Sequence, residues 1–166
     1  MLRKDVLDHL NSHLNLEFYS SNMYLQMSSW CENKGLGGCA AFLKKHAQEE
    51  MDHMHRVFNY INEKGSVAVV GTIEAPPTEF ESVKSVFEQL LDHEKKVTET
   101  INKIVAAAFE AKDFGTFNFL QWFVSEQHEE ETLVQTILDK ITTAGTEGLG
   151  LYLFDREMTQ MAASHG

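Results

Sequence analysis

The sequence has few of the residues that interrupt helices or cross-link chains. Its two prolines are adjacent, at Pro76 and Pro77, so the long stretches on either side are free to be helical. Its two cysteines, Cys31 and Cys39, form neither a CxxC pair nor a disulfide framework, which is typical of a reducing compartment. No segment alternates apolar and polar residues for long enough to predict a strand.

Neither a membrane protein nor a nucleic-acid-binding protein is expected from this composition. No apolar run is long enough to cross a membrane, and the start, MLRKDVLDHLN, has no apolar signal-peptide core, so we expect a cytoplasmic location. Basic residues are scarce: 14 Lys and Arg stand against 25 Asp and Glu, which gives a net charge of −11. Nucleic acid requires clustered basic side chains, whereas an acidic chain attracts cations.

The chain of 166 residues is predicted to be a single domain, residues 1–166, built from long helices. Apolar spacing places four of them at about Asp5 to Asn33, Cys39 to Lys64, Ser82 to Lys112 and Phe114 to Thr142. Ser82 is a candidate N-cap, and Gly65 is a candidate C-terminal cap. A shorter apolar segment, GLGLYLFDREMTQM, predicts a fifth helix.

Connection lengths predict the topology of these helices. The first and second helices are joined by a few residues, as are the third and fourth, so each pair should be an antiparallel hairpin. The segment GSVAVVGTIEAPPTEFE, about 17 residues, can span roughly 50 Å, and a helix of about 28 residues is roughly 42 Å long. This segment can therefore run the length of the bundle, which predicts a four-helix bundle with one long crossover.

The apolar face of each long helix is interrupted by polar residues near its midpoint. The interrupting residues are Glu17 on the first helix, Glu50 and His53 on the second, Glu94 on the third, and Gln127 and Glu130 on the fourth. Midpoints of near-equal helices meet at one level, so these side chains should converge in the core. Burying several carboxylates together costs several kcal/mol unless cations neutralise them. The pattern predicts a metal site, and it predicts that Glu94 reduces the stability of the metal-free protein.

The residue types restrict the choice of metal. Carboxylates with one imidazole suit iron, manganese or zinc, and four carboxylates carry enough charge for two divalent ions, with Glu50 as the bridge. A zinc-protease HExxH motif is absent. His46 lies one turn before Glu50, so a zinc site of His46, Glu50 and His53 is an alternative, although it does not account for Glu94 and Glu130.

Three segments carry a resemblance to a known family: NLEFYSSNMYLQMSSW, HAQEEMDHMHRVFNYI and TFNFLQWFVSEQHEEE. Together they resemble the bacterial non-haem ferritins, and the resemblance extends over essentially the whole chain. It implies an all-α fold, a ferritin-like four-helix bundle with one long crossover loop and a short fifth C-terminal helix.

The resemblance also implies which residues hold iron. A first iron site corresponds to Glu17, Glu50 and His53. A second corresponds to Glu50, Glu94 and Glu130, with Gln127 lining the pocket. A third corresponds to Glu49, Glu126 and Glu129, again with Glu130. Tyr24 matches a tyrosine implicated in electron transfer, and Glu50 is the central catalytic ligand.

By this resemblance the protein is a ferroxidase that oxidises Fe²⁺ to Fe³⁺ with O₂ or H₂O₂ at a di-iron centre. It would store ferric mineral inside a homo-oligomeric cage of twenty-four subunits, with the fifth helix lining the fourfold contacts. Four residues of that helix, Leu149, Leu151, Leu153 and Phe154, are expected to form an apolar face that a lone subunit exposes.

Three alternatives remain at this point. A haem-containing bacterioferritin would carry a second Glu-x-x-His where this chain has Gln127 and Glu130, so haem is not expected, although Met51 stands where the haem-ligating methionine would be. A di-iron oxygenase acting on an organic substrate would need a roomy apolar pocket beside the metals. A non-enzymatic interaction bundle would use its polar core residues only to set helix register.

Overall fold

Five helices account for most of the chain in the computed structural model, which describes residues 1–164. Their bounds are Lys4–Asn33 for α1, Gly37–Glu63 for α2, Val83–Glu110 for α3, Phe114–Ala144 for α4 and Gly148–Ser164 for α5. No strand occurs in residues 1–164, so the all-α prediction is confirmed. Within the same residues, no helix combines the length and the apolar character that crossing a membrane requires.

Both helix caps predicted from the sequence are present. The Ser82 hydroxyl accepts a hydrogen bond from the Ser85 N–H at 3.0 Å, which fixes the start of α3. Gly65 follows α2 with φ +71°, and the N–H groups of Gly65 and Ser66 donate to carbonyls of the last turn at 2.9 and 3.2 Å. Glycine adopts this left-handed conformation without strain, so α2 ends there.

The start of α2 differs from the prediction, because α2 begins at Gly37 and not at Cys39. No side chain of the preceding loop caps it. Instead the Asp155 carboxylate on α5 accepts hydrogen bonds from the Gly38 N–H at 3.0 Å and the Cys39 N–H at 2.8 Å. A Cβ on Gly38 would lie 1.8 Å from the Asp155 carbonyl oxygen, so α5 requires glycine there.

The crossover between α2 and α3 lies along α1. Near the start of α1, Asn11 accepts from the Val69 N–H, and the Asn15 amide donates to the Val69 carbonyl, both at 2.8 Å. Near the end of α1, the Trp30 and Phe80 rings meet edge to face at 5.7 Å. The crossover therefore runs the length of the bundle and starts α3 parallel to α2, as the sequence predicted.

Two apolar clusters fill the bundle, and a polar layer lies between them. The first cluster, next to α5, includes Met27, Cys31, Leu43, Phe87, Leu90, Val134, Ile137 and Phe154. The second includes Leu10, Leu14, Val57, Val97, Ile101, Leu120 and Phe123. The layer contains Glu17, Glu50, His53, Glu94, Gln127 and Glu130, each at most 4% exposed. The helical periodicity therefore predicted correctly where the apolar faces break.

The C-terminal helix α5 packs on the bundle with only part of its apolar surface. Phe154 is 2% exposed, and its ring lies 6.2 Å from that of Phe87. Leu149 and Leu153 are 72% and 49% exposed. The prediction of one exposed apolar face was therefore wrong for Phe154, which is buried against the first cluster. Leu151 is half-buried and packs against the same cluster.

Candidate metal centre

A first group of ligand atoms joins α1 to α2 inside the polar layer. Glu17, Glu50 and His53 each offer one atom, and these atoms all lie within 4.8 Å of one another. His53 Nδ1 is 3.4 Å from Glu50 Oε2 and 3.8 Å from Glu17 Oε2. Two carboxylate oxygens and an imidazole nitrogen at these separations can hold one divalent ion.

A second group joins α2 to α4 and contains a residue that the sequence analysis did not place there. His46, Glu50 and Glu130 again offer ligand atoms within 4.8 Å of one another. His46 Nε2 lies 2.9 Å from Glu130 Oε2 and 3.7 Å from Glu50 Oε1. Glu94 Oε1, on α3, is also 3.7 Å from His46 Nε2. In the sequence, the four-residue spacing between His46 and Glu50 was the feature that could have predicted that His46 joins this group.

Glu50 belongs to both groups. Its Oε2 faces His53 and its Oε1 faces His46, so the two histidines lie in different groups on either side of one carboxylate. This is the position that a bridging ligand between two ions needs. The alternative trio of His46, Glu50 and His53 is not among the close groups found in residues 1–164.

Glu94 is held by two hydrogen-bond donors from neighbouring helices. The Tyr24 hydroxyl donates to Glu94 Oε1, and Gln127 Nε2 donates to Glu94 Oε2 at 2.9 Å. The same Gln127 nitrogen lies 3.2 Å from the Glu94 carbonyl oxygen. In this arrangement Gln127 and Tyr24 orient a carboxylate, and Gln127 presents its amide N–H groups to it.

Many buried polar atoms of the layer have no hydrogen-bond partner. Within residues 1–164 they include Oε1 and Oε2 of Glu17, Nδ1 and Nε2 of His46, Oε1 of Glu50, Nδ1 of His53 and Oε2 of Glu130. Buried polar atoms are rarely left unsatisfied in folded proteins. These are carboxylate oxygens and imidazole nitrogens, the donor atoms that Fe²⁺ accepts, so the residues present fit a pair of such ions.

The two carboxylates of the first group have pKa values shifted in opposite directions. Burial raises the pKa of Glu50 well above its usual value, and the charges of Glu17 and Glu94 raise it further. Burial alone would raise the pKa of Glu17 as well, but the nearby imidazole of His13 and the contact with Glu50 hold it well below its usual value. The metal-free fold therefore favours the charged form of Glu17 and the protonated form of Glu50.

The metal-free layer favours the protonated, positively charged form of both histidines. Burial would lower the pKa of His46, but the charge of Glu130 outweighs it and raises that pKa well above 6.5. The pKa of His53 is likewise raised, because contacts with Glu126 and Glu17 outweigh burial. An ion that binds here must displace these protons.

The residues of the predicted third site line a pocket that opens from the layer to solvent. The pocket has a volume of about 360 Å³ and is lined by Glu49, Asp52, His53, Arg56, Trp122, Glu126 and Glu129. Glu126 Oε1 lies 3.7 Å from His53 Nε2, so the pocket reaches the first group. Glu129 is exposed, and in residues 1–164 Glu49, Glu126 and Glu129 do not form a close trio. The third site stays a prediction.

A four-helix bundle with two buried carboxylate–imidazole groups that share one glutamate defines a metal-binding bundle of the ferritin type. The family model described as the ferritin-like domain matches residues 7–144, and the chain belongs to this family.

Named relatives match almost the whole chain. It is 52% identical over 162 residues to a probable bacterial non-heme ferritin-like protein of Haemophilus influenzae, covering 98% of both chains. It is 46% identical over 161 residues to a bacterial non-heme ferritin of Escherichia coli O6:H1, covering 97% of this chain and 98% of the relative. An open-pore ferritin of Archaeoglobus fulgidus superimposes with a TM-score of 0.93 at 34% identity, covering 96% of this chain and 98% of that one.

Proposed function

We propose that the protein is an iron-storage ferritin that oxidises Fe²⁺ at a paired site within each subunit. The observation that carries the proposal is the position of Glu50, which faces His53 with one oxygen and His46 with the other. Two Fe²⁺ ions bound on either side of this carboxylate would be held at the spacing that a shared oxidation requires. Membership of the ferritin-like family and the names of the relatives support iron as the metal.

Two adjacent Fe²⁺ ions suit a two-electron reaction. Each ion gives up one electron, and O₂ takes both electrons with two protons to become H₂O₂. When H₂O₂ is the oxidant, two electrons and two protons break its O–O bond and give two water molecules. The carboxylates of Glu17, Glu50 and Glu130 would then offset part of the positive charge of the two Fe³⁺ products.

The chain contributes charge, orientation and proton movement to this reaction. Fe²⁺ would compete with protons at His46, His53 and Glu50, because the metal-free fold favours the protonated form of all three. Tyr24 orients Glu94 through its hydroxyl, which donates a hydrogen bond to Glu94 Oε1. The two electrons of the reaction come from the two Fe²⁺ ions, so this step requires none from Tyr24.

The acidic pocket is the proposed route for iron to and from the pair. Glu49, Glu126 and Glu129 lie between solvent and His53, where they can take up Fe²⁺ or hold a third ion with Glu130. The charged lining of this pocket does not favour an organic substrate, which would need an apolar cavity beside the metals.

A haem protein and a purely structural bundle are less well supported. Met51 packs, half-buried, against the second apolar cluster, and both bacterial relatives named above are described as non-heme. Polar residues that only set helix register would be hydrogen-bonded to one another, whereas within residues 1–164 several carboxylate oxygens and imidazole nitrogens of this layer have no hydrogen-bond partner. We therefore propose a non-haem ferritin, assembled with other copies of the chain into a twenty-four-subunit cage.

Adding Fe²⁺ in air to the metal-free, full-length protein tests the proposal. We expect a fast phase of ferric absorbance that consumes about two Fe²⁺ per subunit, because each half of the pair binds one ion. Glu50→Ala should abolish this phase while the circular dichroism stays helical. The control Glu99→Ala removes an exposed glutamate of α3 and should keep it. Oxidation at the wild-type rate by folded Glu50→Ala would rule out the paired site.

A further inference from the structure

A buried histidine one turn before Glu17 has no place in the paired site described above. His13 on α1 is 0% exposed, and it lies at the border of the second apolar cluster, where its ring meets the Phe123 ring edge to face at 5.5 Å. Neither ring nitrogen has a hydrogen-bond partner in residues 1–164. A polar ring in such surroundings reduces stability, so an apolar residue would be the favoured choice if packing were its purpose.

The polar atom that His13 faces belongs to Glu17. His13 Nε2 lies 3.0 Å from Glu17 Oε1, although the N–H and the oxygen are not aligned as a hydrogen bond. The other oxygen, Glu17 Oε2, faces His53 Nδ1 at 3.8 Å. Glu17 Oε1 therefore faces His13, and Glu17 Oε2 faces the first ligand group.

We propose that His13 is a positioning residue of the first iron subsite, which acts through Glu17. It holds Oε1 so that Glu17 offers Oε2 alone to Fe²⁺, and a small rotation on binding aligns the Nε2–H with Oε1. This inference rests on the proposed function. Metal-binding carboxylates are commonly hydrogen-bonded from outside the site, and losing such a partner typically costs about 10–100-fold in metal affinity.

Direct binding of the metal by His13 does not fit the geometry. The close groups of ligand atoms in residues 1–164 are Glu17 with Glu50 and His53, and His46 with Glu50 and Glu130, and His13 belongs to neither. Positions 13 and 17 are one helical turn apart, so the helix itself keeps the imidazole beside Glu17 while His53 approaches from α2.

Two substitutions at position 13 separate a hydrogen-bonding role from a packing role. His13→Leu fills similar space without a donor, and His13→Gln keeps an N–H donor at a similar distance from Cα. Co²⁺ is titrated into the assembled, metal-free protein by calorimetry, with Glu17→Gln as the reference that removes the first subsite. We expect His13→Leu to lower the Co²⁺ affinity of the sites that are missing in Glu17→Gln by about 10–100-fold. The Co²⁺ affinity of the other class of sites should change by no more than a few-fold. His13→Gln should bind Co²⁺ with nearly wild-type affinity at both classes.

The control is His93→Leu, which removes another buried histidine, bonded to the Ser20 hydroxyl at 2.6 Å. It should change neither class of sites by more than a few-fold. Unchanged Co²⁺ binding by His13→Leu would overturn the inference, and so would equal losses in His13→Gln or His93→Leu. Absence of two binding classes in the wild type would instead contradict the proposed function, so the two failures are distinguishable.

Discussion

Two glutamates of the buried layer are in opposite electrostatic environments. Burial raises the pKa of Glu50, and the charges of Glu17 and Glu94 add to this effect. Burial would also raise the pKa of Glu94, but its contact with His46 and its two hydrogen-bond donors lower it. The fold therefore resists the charge on Glu50 and favours the charge on Glu94. The expectation that Glu94 destabilises the metal-free protein stays a prediction, and the lowered pKa of Glu94 argues against it.

The first prediction contrasts substitutions at these two positions. In metal-free protein, Glu50→Gln should raise the free energy of unfolding by about 1–3 kcal/mol, because it removes an ionisable group whose charge the core resists. Glu94→Leu should lower it by about 1–3 kcal/mol, because Tyr24 and Gln127 lose their buried acceptor. Urea unfolding in chelator measures both. A stabilised Glu94→Leu variant would show that Glu94 is present only for metal.

The second prediction concerns pH. The pKa values of His46 and His53 are raised above 6.5, so the stability they contribute is present below pH 6.5 and is lost as pH rises through their folded values. The raised pKa values of Glu50 and Glu130 act in the same direction above 4.5. Glu17, with a lowered pKa, loses its contribution only on acidification below 4.5.

The metal-free protein should therefore become less stable between about pH 6 and pH 8.5. Zn²⁺, which replaces the protons without redox chemistry, should stabilise the protein more at the higher pH. Thermal midpoints with chelator and with Zn²⁺ at both pH values provide the measurement. A midpoint in chelator that rises over this range would mean that the histidines are neutral in the folded protein.

At the scale of elements, α5 caps α2 through Asp155. The third prediction is that Asp155→Ala lowers the free energy of unfolding by about 1–2 kcal/mol and speeds hydrogen exchange at Gly38 and Cys39, because their N–H groups lose their acceptor. The control is Glu157→Ala, which removes a surface ion pair with Lys140 and should cost about 0–1 kcal/mol. If hydrogen exchange at both amides were as slow in Asp155→Ala as in the wild type, the capping role would be contradicted.

Local signals predicted most element boundaries, and non-local contacts account for the exceptions. Ser82 and Gly65 act on residues within one turn, so their caps could be read from the chain. The start of α2 could not, because its cap comes from Asp155 on a distant helix.

The same distinction applies to the residues of the candidate site. The glutamates of the site lie on the apolar face of each helix. Helical periodicity identifies that face as the buried one, so the burial of these glutamates could be predicted. His13 and His46 lie beside that face, and their burial depends on how neighbouring helices pack. His13 is four residues before Glu17, and His46 is four residues before Glu50. This spacing predicts that each histidine lies close to its glutamate, but it does not predict what the histidine does there.

At the scale of the whole molecule, the polar layer is enclosed by apolar clusters on both sides. These clusters supply the burial that offsets the cost of placing carboxylates and imidazoles in the core. The arrangement also keeps the candidate metal pair at mid-depth, with a pocket leading to solvent. Leu149 and Leu153 on α5 remain exposed and fill no core within one subunit, so we propose that they contact other copies of the chain.

The last prediction separates assembly from stability in α5. The double substitution Leu149→Glu with Leu153→Glu should weaken or change the oligomer and leave the subunit folded, because both side chains are exposed in the single chain. Deletion of all residues after Ala144 also removes Phe154 and Met158 from the first cluster, so it should in addition cost about 3 kcal/mol or more. Light scattering and thermal unfolding of both variants distinguish these effects. An unchanged oligomer in the double variant would place the contacts between copies elsewhere, and a deletion variant as stable as the full chain would show that α5 contributes nothing to the core.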